Sequence, residues 1–105
     1  MRKAKAELTD VRLQKSSDIL RALAHPLRMK ILEFIDKNKI INVNKIYNTL
    51  KLEQSITSQH LKILRASGLV QTHREGKFIH YTIDYPRLDN AMRAVDGFLD
   101  GVKMD

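Results

Sequence analysis

Between Glu7 and Ala24 apolar residues recur at Leu8, Val11, Ile19, Leu20 and Leu23 among charged ones, predicting an amphipathic helix whose first half is the less regular. Proline is tolerated in the first turn of a helix, where its missing N–H is not needed. His25-Pro26 therefore ends that helix and opens a second through about Lys37, with Leu27, Ile31, Leu32, Phe34 and Ile35 as its apolar residues. Asn38 to Asn42 reads as a connector or a very short strand. Val43, Ile46, Tyr47 and Leu50 fall at i, i+3, i+4 and i+7, which predicts a third, short helix from Val43 to Lys51. After a break at Leu52-Glu53-Gln54, a fourth helix runs from about Ser55 to Ala66. Ser67-Gly68 closes it with glycine where a left-handed C-terminal cap is wanted. Two helices joined by a turn of about three residues form a helix-turn-helix candidate.

Alternation follows. Leu69 to Arg74 and Phe78 to Ile83 read as two strands of a β-hairpin with Glu75-Gly76-Lys77 at its tip. Asp84-Tyr85-Pro86 breaks the second strand, and Arg87 to about Gly101 forms a last helix with Leu88, Met92, Val95, Phe98 and Leu99 on one stripe. The expected fold is mainly α with a small β-hairpin, about five helices plus a β-wing in one domain over residues 1–105. Residues 1–6 and 102–105 are expected to be loose.

Length and composition narrow the function. A chain of 105 residues with 43% hydrophobic content supports one core and not two. No apolar run reaches the roughly 18 residues of a membrane span and the start has no signal-like stretch, so the expected location is cytoplasmic. Without cysteine there is no disulfide, thiolate metal site or thiol switch. The formal charge of +7 suggests an anionic partner, and its distribution is informative: residues 16–83 carry +6, whereas residues 84–105 carry −2.

A helix that reads DNA in the major groove needs a polar, short-chained, acid-free outward face. In the helix Ser55–Ala66, Thr57, Leu61 and Leu64 point inward together, while Ser55, Ser58, Gln59 and Lys62 point away. Serine donates or accepts, glutamine pairs bidentately with adenine, and lysine reaches guanine or phosphate. The hairpin tip would bring Arg74 and Lys77 beside the backbone or minor groove flanking the site, contributing affinity without specificity. With a three-residue tip, His73 pairs with Ile79 and His80 with Thr72. The two imidazoles then lie on opposite faces and cannot share a metal ion without a register shift. His60 sits at the edge of the inward face, placed for packing or for a phosphate contact, and His25 is a helix-entry residue. No phosphate loop, metal motif or nucleophile-histidine-acid spacing points to an enzyme.

These residues resemble the ArsR/SmtB family of small winged helix-turn-helix repressors over roughly residues 16–100. The resemblance is carried by Ala22-Leu23-Ala24-His25-Pro26-Leu27-Arg28-Met29-Lys30-Ile31-Leu32, by the run from Gln54 through Ser58-Gln59-His60-Leu61 to Gly68-Leu69-Val70, and by Arg74-Glu75-Gly76-Lys77-Phe78-Ile79-His80-Tyr81. It implies a homodimer joined through the first and last helices, near 7–24 and 87–101, and a repressor binding double-stranded DNA. Ser55, Ser58, Gln59, His60 and Lys62 would lie at DNA and Gly76 in the wing. Many such proteins release DNA on binding a metal, yet their thiolate site would fall near Val43 to Tyr47, where there is no cysteine. Even with Asp84 aligned to the first position of the other common site, residues 84–105 hold no histidine to complete it. No metal or cofactor is therefore expected, which leaves a small-molecule effector, a protein effector, or control by abundance. The alternative function is a winged helix that binds protein or RNA, which would need an apolar or aromatic exposed surface.

Overall fold

A stop and a start set only two residues apart shape the beginning of the fold. Helix α1 (Asp10–Leu23) ends before His25, and Pro26 occupies the first turn of α2 (Pro26–Asn38). His25 is the N-cap: its Nδ1 accepts from the Leu27 N–H at 3.1 Å, satisfying one of the donors a helix start leaves unpaired. The computed structural model describes the backbone of residues 10–103 and the side chains of residues 17–97. Leu8, the side chains of Val11, Phe98 and Leu99 of the expected apolar stripes, the loose segment expected over 1–6, and Met104 and Asp105 of the one expected over 102–105 lie outside what is described. Val102 and Lys103, also expected to be loose, continue the last helix.

The segment after α2 forms a two-residue strand, β1 (Ile41–Asn42). Asn42 then caps α3 (Val43–Leu50), its side-chain oxygen accepting from the Lys45 N–H at 2.9 Å. Lys51 closes that helix in the left-handed region, φ 57°, an uncommon conformation for a residue with a Cβ. Its N–H and that of Leu52 both reach the Tyr47 carbonyl, so the chain turns within residues 51–53 and enters α4 (Gln54–Ala66). α4 ends in a Schellman motif: Leu69 N–H donates to Leu64 O at 3.1 Å and Gly68 N–H to Arg65 O at 3.0 Å, with Gly68 at φ +83°. Leu64 and Leu69, the hydrophobic pair of that motif, are both fully buried.

Strands β2 (Val70–Glu75) and β3 (Phe78–Ile83) form the hairpin, and β1 adds to the other edge of β3, giving the antiparallel order β1-β3-β2. The tip differs from the sequence expectation. Glu75 pairs with Phe78, leaving a two-residue turn of Gly76 and Lys77 in place of a three-residue loop. Gly76 takes φ +63° and Lys77 is not among the positive-φ residues, the sign pattern of a type II′ turn, whose twist matches that of the strands. The register shifts by one: Val70 meets Ile83, both buried, and His73 meets His80. The two imidazoles therefore share a face, contrary to the opposite faces expected.

The last helix, α5 (Tyr85–Lys103), begins two residues earlier than expected. Asp84 is its cap, its carboxylate accepting from the Arg87 N–H at 3.1 Å, and Pro86 fits in the first turn for the same reason as Pro26. Tyr85 donates to Asp36 of α2 at 2.6 Å, and this bond, with Lys39 beside it, holds the Asp36 carboxyl below the usual carboxylate range. One cluster forms the core: Leu23 of α1, Ile31, Leu32 and Ile35 of α2, Ile46 of α3, Leu61 and Leu64 of α4, Leu69, and Ile41, Val70 and Ile83 of the sheet. Among the described residues of α5, Ala91 joins it and Leu88 packs against it.

Candidate nucleic-acid interface

Helix α4 is held by one side and offered by the other. Thr57, Leu61 and Leu64 are buried, and the Thr57 hydroxyl donates to the Glu53 carbonyl at 2.8 Å, so this buried polar group is satisfied. Ser55, Ser58, Gln59 and Lys62 are exposed, with no acidic residue anywhere in the helix. The strip can donate and accept toward base edges at short range, and Lys62 can reach farther to a phosphate or guanine. Sequence reasoning passed over two neighbours: Ile56 and Ile63 are 39% and 43% exposed, flanking the polar strip. Their spacing of seven puts both on one helix flank, a signal available in the sequence.

His60 is set apart from the other four. It is half-buried, its ring lies 4.7 Å from that of His25 at an interplanar angle of 56°, and its Nδ1 is 3.2 Å from the Arg28 guanidinium. Arg28 itself is buried. Its Nε donates to Ala22 O at 2.8 Å and its second terminal nitrogen to Arg21 O at 2.9 Å, capping carbonyls that the end of α1 leaves open. Burial, then the proximity of His25, then that of Arg28 hold the His60 imidazole below its ordinary pKa. Nothing in the sequence singled out Arg28, because its partnership with His60 spans 32 residues.

In the hairpin, Arg74, Gly76 and Lys77 are exposed, and the Lys77 ammonium sits 5.7 Å from the Phe78 ring centroid. Behind the tip, His80 Nδ1 is buried and 3.6 Å from Glu75, beyond hydrogen-bond reach, while His73 Nε2 is 3.3 Å from the Thr82 hydroxyl. Although the corrected register brings the two histidines onto one face, no three His, Asp or Glu side chains among the described residues gather as a metal site would require. No helix among the described residues is long and apolar enough to cross a membrane.

The arrangement is an acid-free polar helix after a three-residue turn, followed by a cationic hairpin tip. The family model described as "Bacterial regulatory protein, arsR family" matches residues 25–72, which span α2, α3, α4 and the start of β2. Over 84 residues the chain is 36% identical to the transcriptional repressor PagR of Bacillus anthracis, covering 80% of this chain and 84% of that one. It is 38% identical over 69 residues to the transcriptional activator HlyU of Vibrio cholerae, covering 66% of this chain and 63% of that one. The crystal structure of PagR superposes with a TM-score of 0.68 at 33% identity, covering 83% of this chain and 99% of that one. That of NolR from Sinorhizobium fredii gives 0.68 at 30% identity, covering 89% and 92%.

Proposed function

Given that the chain belongs to the ArsR family of bacterial regulatory proteins, DNA-binding transcriptional regulators and not enzymes, we propose that it is a homodimeric repressor reading an inverted repeat. Helix α4 lies in the major groove with Ser55, Ser58, Gln59 and Lys62 toward the bases, His60 at the edge of that surface, and Arg74, Gly76 and Lys77 of the wing along the flanking backbone. The observation that carries this reading is the exposed polar strip of α4, free of acid and backed by buried Thr57, Leu61 and Leu64.

A second copy is needed to read a second half-site, and α1 and α5 supply the surface for it. A cleft of about 600 Å³ lies between them, lined by Ile19, Leu20, Pro86, Ala91 and Ala94 among others, and Leu20 and Met92 are 45% and 42% exposed. The whole chain acts as one domain in the cytoplasm. With no cysteine a thiolate sensor cannot form, so the signal that releases DNA is a small molecule or a protein, or the regulator acts through its abundance alone. Repression is proposed from the resemblance to PagR, although HlyU is named an activator.

Selection of bound sequences from a random duplex pool, at two salt concentrations, tests this. An inverted repeat should be enriched, and Gln59→Ala or Lys62→Ala should each weaken binding to it by about 1–3 kcal/mol with fold and dimer intact. Weak, strongly salt-dependent binding without a motif would overturn the assignment. It would favour a winged helix that binds protein or RNA, for which the exposed Ile56 and Ile63 provide the apolar surface.

A further inference from the structure

A guanidinium can only donate hydrogen bonds, so the 3.2 Å contact between Arg28 and His60 requires a lone pair on Nδ1 and therefore a neutral imidazole with its proton on Nε2. His25 is bound by the same logic, because its Nδ1 accepts from the Leu27 N–H at 3.1 Å. Arg28 cannot withdraw easily, since two carbonyls of α1 hold its other nitrogens. Among the described residues no group bonds His60 Nε2, and the only buried side-chain nitrogen or oxygen without a partner is His80 Nδ1, so Nε2–H faces solvent.

We propose that Arg28 is a positioning residue for DNA recognition. By donating to Nδ1 it fixes His60 of α4 as the neutral Nε2–H tautomer with its donor outward, so that specific binding falls on acidification. Added positive charge ordinarily strengthens binding to a polyanion. Here the added proton goes to Nδ1, where it replaces an acceptor with a donor facing a fixed cation. The titratable and charged groups acting on His60 are His25, from the link between α1 and α2, and Arg28, from α2. Neither relieves that conflict. The sign for stability agrees. A histidine held below its ordinary 6.5 when folded leaves the protein most stable above that pH, and the advantage is lost as pH falls toward the lower folded value.

This inference rests on α4 being the reading helix, and the test separates the two. The probes are the duplex enriched from the random pool and a scrambled duplex of the same composition, titrated with the full chain at pH 7.5 and 5.5 and constant ionic strength. The ratio of specific to scrambled affinity should fall by about tenfold on acidification, the equivalent of one charge-assisted hydrogen bond. In His60→Gln, whose amide still donates but does not titrate, that ratio should change by less than about twofold whatever its value at pH 7.5. Long-range proton–nitrogen correlation on the labelled wild-type protein should show Nε2 protonated and Nδ1 bare at His60, a readout that needs no variant to fold. A ratio that holds or rises at pH 5.5, an undiminished pH dependence in His60→Gln, or a proton on Nδ1 would overturn the role of Arg28 alone. Failure to enrich any duplex would overturn the reading of α4 and this role with it.

Discussion

The middle of the chain and its two flanking helices use the same apolar residue types and bury them differently. From α2 to β3, Ile31, Ile35, Ile46, Leu61, Leu64, Leu69 and Val70 are all essentially inaccessible and form most of the core, while Met29, Ile40, Ile56, Ile63 and Phe78 of the same segment stay exposed. In α1 and α5, Leu20 at the rim of a cleft and Met92 remain exposed, and among its described residues α5 places Ala91 in the core with Leu88 packed against it. Charge separates the head from α5, +6 over residues 16–83 against −2 over residues 84–105. A cationic head that holds most of the core, and a flank with exposed apolar residues beside a cleft, is the division expected when one part meets DNA and the other meets a copy of itself.

The largest expected effect is in the head. Leu61→Ala removes a fully buried side chain from the centre of the cluster and should cost about 2–5 kcal/mol in urea unfolding, independent of protein concentration. In the flank, Leu20→Asp combined with Met92→Asp should act on association. Sedimentation should show a wild-type dimer and a monomeric variant, with dimer affinity lower by about 2 kcal/mol or more. Its melting temperature should also lose the concentration dependence that a dimer confers. A variant that stays dimeric, or a wild-type monomer, would break the comparison at its second half. A smaller effect belongs to the junction of α4 with β2. Gly68→Ala should cost roughly 1 kcal/mol in thermal unfolding, because φ +83° is strained for any residue with a Cβ. The nearest obstruction is the flexible end of Arg87, at 2.8 Å, which can move aside and keeps the cost near that figure.

The head was largely legible in the sequence, and the reasons are local. The i, i+3, i+4, i+7 positions of α3, the Gly68 cap and the Pro26 entry each specify structure within a few residues. The hairpin register was misread because Gly76 suits a two-residue or a three-residue tip equally well. Alternation could have decided it: Val70 and Ile83 both need burial and so must share a face, which only the observed pairing allows. Phe78, apolar and exposed on the opposite face, blurred that signal. The early start of α5 was also readable, since Asp84 two residues before Pro86 is a cap followed by a first-turn proline. Arg28 was not readable. Its anchors lie six and seven residues back in α1 and its ligand is 32 residues ahead in α4, and no local periodicity encodes such a meeting.

The finest division between head and flank is in how each cation responds to salt. Lys77 stands exposed at the hairpin tip, beside the Phe78 ring, and Arg93 stands exposed on α5. Both contribute one unit to the net charge, so a protein that met DNA only through its overall field would respond alike to losing either. If the wing touches phosphate, Lys77→Ala should lower affinity for enriched and scrambled duplexes by a similar factor, since a phosphate contact carries no sequence information. The slope of log affinity against log salt should also become shallower by about one unit. Arg93→Ala should leave that slope within its error, being on the surface assigned to the second copy. Equal slopes in the two variants would mean that DNA senses the charge of the whole protein and not the wing, and the cationic tip would then be an ordinary solvated turn.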